Sequence, residues 1–261
     1  MLYELANLSC PLLALGQASD GVHAWVDDGE AKGEFLGCWR TELGTLGQIF
    51  VLRGFAAPED MTAERRRALL NASPFNAGSV VSAIEMDSYA PFPFLPTIRA
   101  GERGGVYEFR TYQLKPGGLP PTLAGWEAAI EPARDYTDHL VVNMYALDGA
   151  PRITHIWGFA SLEERSGLRA RAYAAGVWPP KGGPEQIARA TSTIALPQGR
   201  SIGNSHRGET WRRKRHHHSI SRRSFARIPF RPRANRRVSC GGRSERMSWH
   251  PRSARRGGPR G

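Results

Sequence analysis

The sequence predicts an α+β fold: two ferredoxin-like β-α-β-β-α-β units forming one pseudo-dimeric α+β barrel, followed by a disordered, basic C-terminal tail. Three observations predict it. Runs rich in β-branched and aromatic residues alternate with stretches of good helix formers. The order of these elements is gone through twice, with identities at a spacing of 104 residues. After Pro197 apolar periodicity gives way to Arg, Ser, Gly and Pro. A β-α-β-β-α-β unit puts its helices on one face of an antiparallel sheet, so the other face needs a cover, and two units in one chain can cover each other.

The first pass opens with LYELANL, which alternates and breaks at Pro11, as a strand does before an irregular connection. Residues 16–31 are the expected first helix. Residues 35–55 contain two aromatic and β-branched runs joined across glycines, the pattern of a β-hairpin. Residues 56–72, with ERRRALL at their centre, form a helix ended by Ser73-Pro74, and 80–86 is the fourth strand.

The second pass is better signalled. VYEFRTYQL is a strand, and 121–134 is a helix with Leu123, Trp126 and Ile130 on one face. LVVNMYAL and ITHIWGF form a hairpin around Asp148-Gly149. In the stretch 152–178 a bulky residue stands at every odd position from Ile153 to Phe159, which is a strand. Ser161 then precedes Glu164 at the spacing of a capping box, and Gly176, Pro179 and Pro180 end the helix that follows. TSTIALP closes the unit. Tyr3-Glu4 matches Tyr107-Glu108, Leu36 matches Leu140 and Gly54-Phe55 matches Gly158-Phe159, with a slip near the hairpin turns. The expected division is a first unit over 1–97, a linker over 98–105, a second unit over 106–197 and a tail over 198–261.

The net charge of +12 hides a division. From Arg200 onward there are 19 Lys and Arg against 2 acidic residues, leaving 17 against 22 before it. Body and tail therefore need separate accounts. The tail cannot bury enough apolar surface to offset its ordering entropy. It reads as a non-specific nucleic-acid or acidic-membrane tether through WRRKR, as a solvated extension, or as a segment translated from a shifted frame, since 18 of its 19 basic residues are Arg. Cys10, Cys38 and Cys240 lie far apart with no CxxC spacing, which predicts neither zinc site nor disulfide framework and suits a reduced, cytoplasmic compartment. The apolar run at 11–15 is too short for a membrane span. No phosphate loop, GxGxxG after a strand, HExxH or GxSxG occurs, which argues against nucleotide-dependent and hydrolytic chemistry; neither a metal nor a cofactor is expected.

The residues YEFRTYQLKPG, THIWGFASLEER and RAYAAGVW resemble the NIPSNAP family, and the opening YEL, GCWRTELG and ERRRALLNASPF resemble a first copy in two-copy members. The resemblance covers 1–197 and implies the dimeric α+β barrel fold, a superfamily that includes cofactor-free monooxygenases, haem-degrading enzymes and stress-response proteins. It fixes fold better than function. Members usually end soon after the last strand, so the tail departs from the pattern.

Strand parity sorts the candidate site residues. Taking Tyr107, Phe109, Val142, Met144, Thr154 and Ile156 as facing the helices leaves Glu108, Arg110, Asn143, Tyr145, His155 and Trp157 facing the barrel, joined from the first unit by Glu4, Trp39, Thr41, Val51 and Arg53. This polar and aromatic lining predicts a pocket between the two sheets for a small organic molecule, nearer the second unit, with Glu4 and Arg53 as its wall. If catalysis occurs, His155 is the expected base and Arg110 holds the developing anion, in a cofactor-independent monooxygenase-like or isomerase-like reaction. The bland alternative is that Glu4 and Glu108 form interior salt bridges with Arg53 and Arg110, and that the chain is a non-catalytic protein-interaction module. A homo-oligomer is a further expected assembly.

Overall fold

A computed structural model of the chain describes residues 1–101 and 103–199. The basic tail from Arg200, with the polyanion and frame-shift readings attached to it, lies outside the described residues.

The first half consists of β1 (Leu2–Ser9), α1 (Leu15–Val26), β2 (Glu34–Leu43), β3 (Gln48–Phe55), α2 (Pro58–Leu70) and β4 (Ala83–Pro91). The second consists of β5 (Val106–Leu114), α3 (Leu119–Ile130), the short α4 (Arg134–Thr137), β6 (Leu140–Ala146), β7 (Arg152–Phe159), α5 (Leu162–Ala174) and β8 (Ile187–Pro197). All ladders are antiparallel, and the strands close in the order β1-β3-β2-β8-β5-β7-β6-β4. Each half keeps its strands together, and the two halves join through β2 with β8 and β4 with β6. A second copy of the chain is therefore not needed to pair an open sheet edge.

The duplication is visible element by element. α1 and α3, β3 and β7, and α2 and α5 begin and end 104 residues apart. The slip falls in β2 and β6. Each carries a bulge, and Phe35 opposite Arg53 corresponds to Leu140 opposite Trp157, a spacing of 105. The Leu36 and Leu140 identity is thus a coincidence of sequence rather than a structural equivalence.

Local signals held where chemistry was specific. The Ser161 hydroxyl accepts from the amide of Glu164 at 3.1 Å, while the Glu164 carboxylate reaches one residue beyond the cap to the amide of Ala160 at 2.5 Å. Gly149 and Gly176 adopt φ of +63° and +70°, in the turn and at the helix end. Several boundaries moved. β4 begins at Ala83 rather than at 80, β8 begins at Ile187 before TSTIALP, α1 ends at Val26 rather than at 31, and α3 runs over Leu119–Ile130 rather than 121–134. The buried face of α3 is Thr122, Trp126 and Ala129, with Leu123 and Ile130 only at the margin. Gln198, assigned to the tail, still donates its amide to the Cys38 carbonyl at 2.8 Å.

The facing of the strands is the reverse of the expected one. Tyr107, Phe109, Val142, Met144 and Ile156 pack with Tyr3, Leu52 and Tyr89 of the other half, so they fill the barrel. Glu108, Arg110, Asn143, Tyr145, His155 and Trp157 lie on the side covered by α3 and α5, and Glu4, Val51 and Arg53 lie on the side covered by α1 and α2. Of the proposed lining, Trp39 is inside, against Tyr107 and Phe109 at 5.2 and 5.3 Å between ring centres, and Thr41, two residues on along β2 and opposite the barrel residue Ala195, shares its side. The reason is physical: aromatic and aliphatic side chains fill the interior of this eight-stranded barrel, which offers a carboxylate no helix-borne cation. The helical layer does offer one. The expected polar cavity between the sheets is replaced by an aromatic interior, in which Tyr3 and Tyr107 accept from the amides of Ile98 and Arg103 and so hold both ends of the linker.

Candidate functional site

The first half spends its buried charges on structure. Glu4 on β1 lies opposite Arg53 on β3, which donates to it at 2.5 Å and to Glu64 of α2 at 2.6 Å. These three side chains are 0%, 2% and 1% exposed. Arg65 closes the other Glu4 oxygen at 2.9 Å, and Arg67 binds Glu64 while its guanidinium lies 3.6 Å above the Trp25 ring. Each buried carboxylate has two cations, so the network ties α2 to the sheet. The positions 104 residues on from Arg53 and Glu64 are Trp157 and Leu168, an apolar pair in place of an ionic one.

In the second half the same layer is not filled. A cavity of about 190 Å³ lies between the sheet and the helices. Its floor is Arg110 and Tyr112 of β5, Ile153 and His155 of β7 and Ile187 of β8. Thr122 and Trp126 of α3 and Tyr173 of α5 form walls, and Trp178 with the prolines 179, 180 and 184 forms the roof. The roof can sit so low because α3 carries Gly125: a Cβ there would stand 2.2 Å from the Lys181 carbonyl oxygen. Trp178 is fixed by edge contacts with Trp126 and Tyr136 at 5.0 and 5.2 Å.

Arg110 and His155 are cross-strand partners, so their side chains stand side by side on this floor. His155 is 1% exposed. Its Nδ1 accepts from the Trp157 indole at 2.6 Å, and its Nε2 has no partner among the described groups. Burial, with the positive charges of Arg110 and Arg169, holds its pKa well below the ordinary 6.5. Neutral imidazole carries one proton, and an indole can only donate, so the proton sits on Nε2. His155 is thus a hydrogen-bond donor in a nearly apolar chamber. The expected role of base is at odds with this geometry, because Trp157 would have to turn its N–H away first.

Glu108 does not enter the cavity. Arg165 of α5 grips it with two bonds of 2.7 and 2.6 Å, and Ser192 adds a third at 2.6 Å. Burial alone would raise its pKa, but these bonds and the charge of Arg110 outweigh it and hold the carboxyl below its usual value. Arg110 is left with its Nε 3.6 Å from Glu108, an ion pair too long for a hydrogen bond, and its side chain is 12% exposed. Arg110, Arg165 and Arg169 are set against one carboxylate, Glu108, so the surroundings of the floor carry excess positive charge. The lining itself has neither carboxylate nor thiol. The chamber combines aromatic walls with two hydrogen-bond donors, Arg110 and His155, on its floor.

Of the residues chosen from sequence, His155 and Arg110 are brought together here, and Trp157 and Glu108 stand behind them. Glu4, Arg53 and Trp39 belong elsewhere, Tyr145 is half-buried outside the chamber, and Asn143 lines a different cavity. Trp126, a wall, and Trp178, part of the roof, line the chamber while also packing in the buried cluster of this half. The two copies held a usable signal: Ala6, Leu8 and Val51 in the first stand where Arg110, Tyr112 and His155 stand in the second.

Among the described residues no helix is long and apolar enough to cross a membrane, and no group of three or more His, Cys, Asp or Glu is placed to hold a metal ion. A family model described as NIPSNAP matches residues 107–201. A Dictyostelium discoideum protein named NipSnap homolog is 24% identical over 179 residues, covering 67% of this chain and 77% of its own. A NIPSNAP family protein of unknown function from Agrobacterium tumefaciens is 31% identical, spanning 41% of this chain and 98% of that one, with a TM-score of 0.34. A candidate monooxygenase from Lactobacillus acidophilus superposes over 75% of this chain and 93% of its own with a TM-score of 0.56 at 8% identity, a likeness of fold alone.

Proposed function

Because the chain belongs to the NIPSNAP family and its second half keeps a chamber floored by Arg110 and His155, we propose that it binds a small organic anion there, one aromatic ring in size. The size follows from volume: a cavity of roughly 150 Å³ takes benzene, and this one is about 190 Å³. The class follows from the donors. Arg110 and His155 are donors side by side on one floor, each able to give a hydrogen bond to an anion, and the aromatic walls take the ring. The observation that carries the reading is the orphaned, buried Nε2–H beside an incompletely paired guanidinium. Leaving a buried donor unmade costs about 1–3 kcal/mol, which a bound anion would offset. Calorimetric titration of the full chain with benzoate and with benzyl alcohol tests it. Benzoate is expected to bind and the alcohol to bind far more weakly; equal affinities would sink the anion reading.

The fold likeness to a candidate monooxygenase supports a second reading, in which the same two donors hold a phenolate or enolate for reaction with oxygen. With His155 protonated on Nε2, such a substrate must lose its proton to solvent before entry. Oxygen uptake with a single-ring hydroquinone, abolished by Arg110→Gln, separates turnover from binding alone.

A further inference from the structure

A second cavity, of about 380 Å³, lies where the two halves part. β4 pairs with β6 only through Tyr89, Ala90 and Pro91, after which the Phe92 amide makes one bond of 3.0 Å to the Asn143 carbonyl. Beyond that point the space along β6 is walled by Leu95, Ile130 and Leu140 and is floored by Asn143.

The Asn143 side chain is 1% exposed, and neither its amide oxygen nor its amide nitrogen has a partner among the described groups. Two orphaned polar atoms on one buried side chain are unusual, because buried polar groups are nearly always paired. The barrel does not require an amide at this place. The register that sets Asn143 opposite His155 sets Cys38 opposite Val51 in the first half, and Cys38 is buried against Ser19. Arg134 and Glu131 at the rim pair with each other, at 3.0 Å for one of their two bonds, and Asp138 adds a negative charge, so nothing draws an anion in.

We propose that this cavity is a second ligand site, for a neutral molecule whose apolar ring carries a carboxamide or lactam edge. A primary amide presents one acceptor and two donors in a plane, and another amide edge satisfies it at two points. Asn143 reads that edge, while Leu95, Ile130 and Leu140 hold the ring. The site shares no lining residue with the Arg110 chamber, so it stands or falls independently of it.

The test uses the full chain with benzamide as probe, followed by the side-chain amide resonances of Asn143 and by calorimetry. Benzamide is expected to shift those resonances to saturation. Asn143→Leu should weaken benzamide by about tenfold or more, as two lost hydrogen bonds imply, while leaving benzoate affinity and the melting temperature no lower. Equal benzamide affinity in the two proteins would overturn the site. So would Asn143 resonances that do not respond to benzamide, a result that needs no variant to fold.

Discussion

The Trp157 indole donates to Nδ1 of His155 across 2.6 Å, and this one bond decides which nitrogen of the imidazole carries the proton. Because the indole cannot accept, the neutral ring must be the Nε2–H form. Nitrogen-15 spectra of the histidines should therefore report that tautomer for His155 in the folded chain at neutral pH. Trp157→Phe removes the donor, and the ring should then populate both tautomers. A wild-type His155 protonated on Nδ1 would contradict the assignment.

The same burial gives a pH signature. Folded His155 has its pKa held well below 6.5, whereas the unfolded chain titrates it near 6.5. Between those two values the unfolded state binds a proton that the folded state does not, so stability falls as pH drops below about 6.5, with a slope for this group approaching about 1.4 kcal/mol per pH unit. His155→Gln removes that proton difference. The drop in melting temperature between pH 7.5 and pH 5.5 should be smaller in the variant than in wild type, and an equal drop would show that His155 is not kept neutral.

Gly125 sets the height of the roof. Alanine there would favour α3 by about 1 kcal/mol on helix propensity alone, yet its methyl would meet the Lys181 carbonyl at 2.2 Å. Gly125→Ala should lower the melting temperature and weaken benzoate binding together. A rise in melting temperature with unchanged affinity would mean that the roof loop does not rest on α3.

The Arg53 and Glu64 pair occupies in the first half the place of Trp157 and Leu168 in the second. Arg53→Met leaves two buried carboxylates one cation short and should cost about 3 kcal/mol. Adding Glu64→Leu should recover about 1 kcal/mol or more of that loss, because Glu4 keeps Arg65. Strictly additive losses in urea unfolding would show that the pair is not coupled.

Much of the fold was legible because it rests on local chemistry repeated twice: the Ser161 cap, the Gly149 turn and the alternating strands all appear where their residue types require them. The site was half legible. Alternation along β7 separates His155 and Trp157 from Thr154 and Ile156 but does not say which set meets the helices, since both faces of this sheet are covered. What decides it is the partner available: Arg165 and Glu64 come from helices, and only the helical layer can pair them with Glu108 and Arg53. Trp126 in the wall and Trp178 in the roof were not legible as lining residues because they reach the chamber from α3 and from the loop after α5.

The central claim is that Arg110 and the Nε2–H of His155 together hold an organic anion. The measurement that meets it most directly is a benzoate titration of the full chain followed at the His155 Nε2–H resonance, in wild type and in Arg110→Gln. The resonance should move and saturate in wild type, and the midpoint should rise by about tenfold in the variant, as loss of one charged hydrogen bond implies. Benzoate binding that leaves the His155 resonance in place, or a midpoint indifferent to Arg110, would contradict the account.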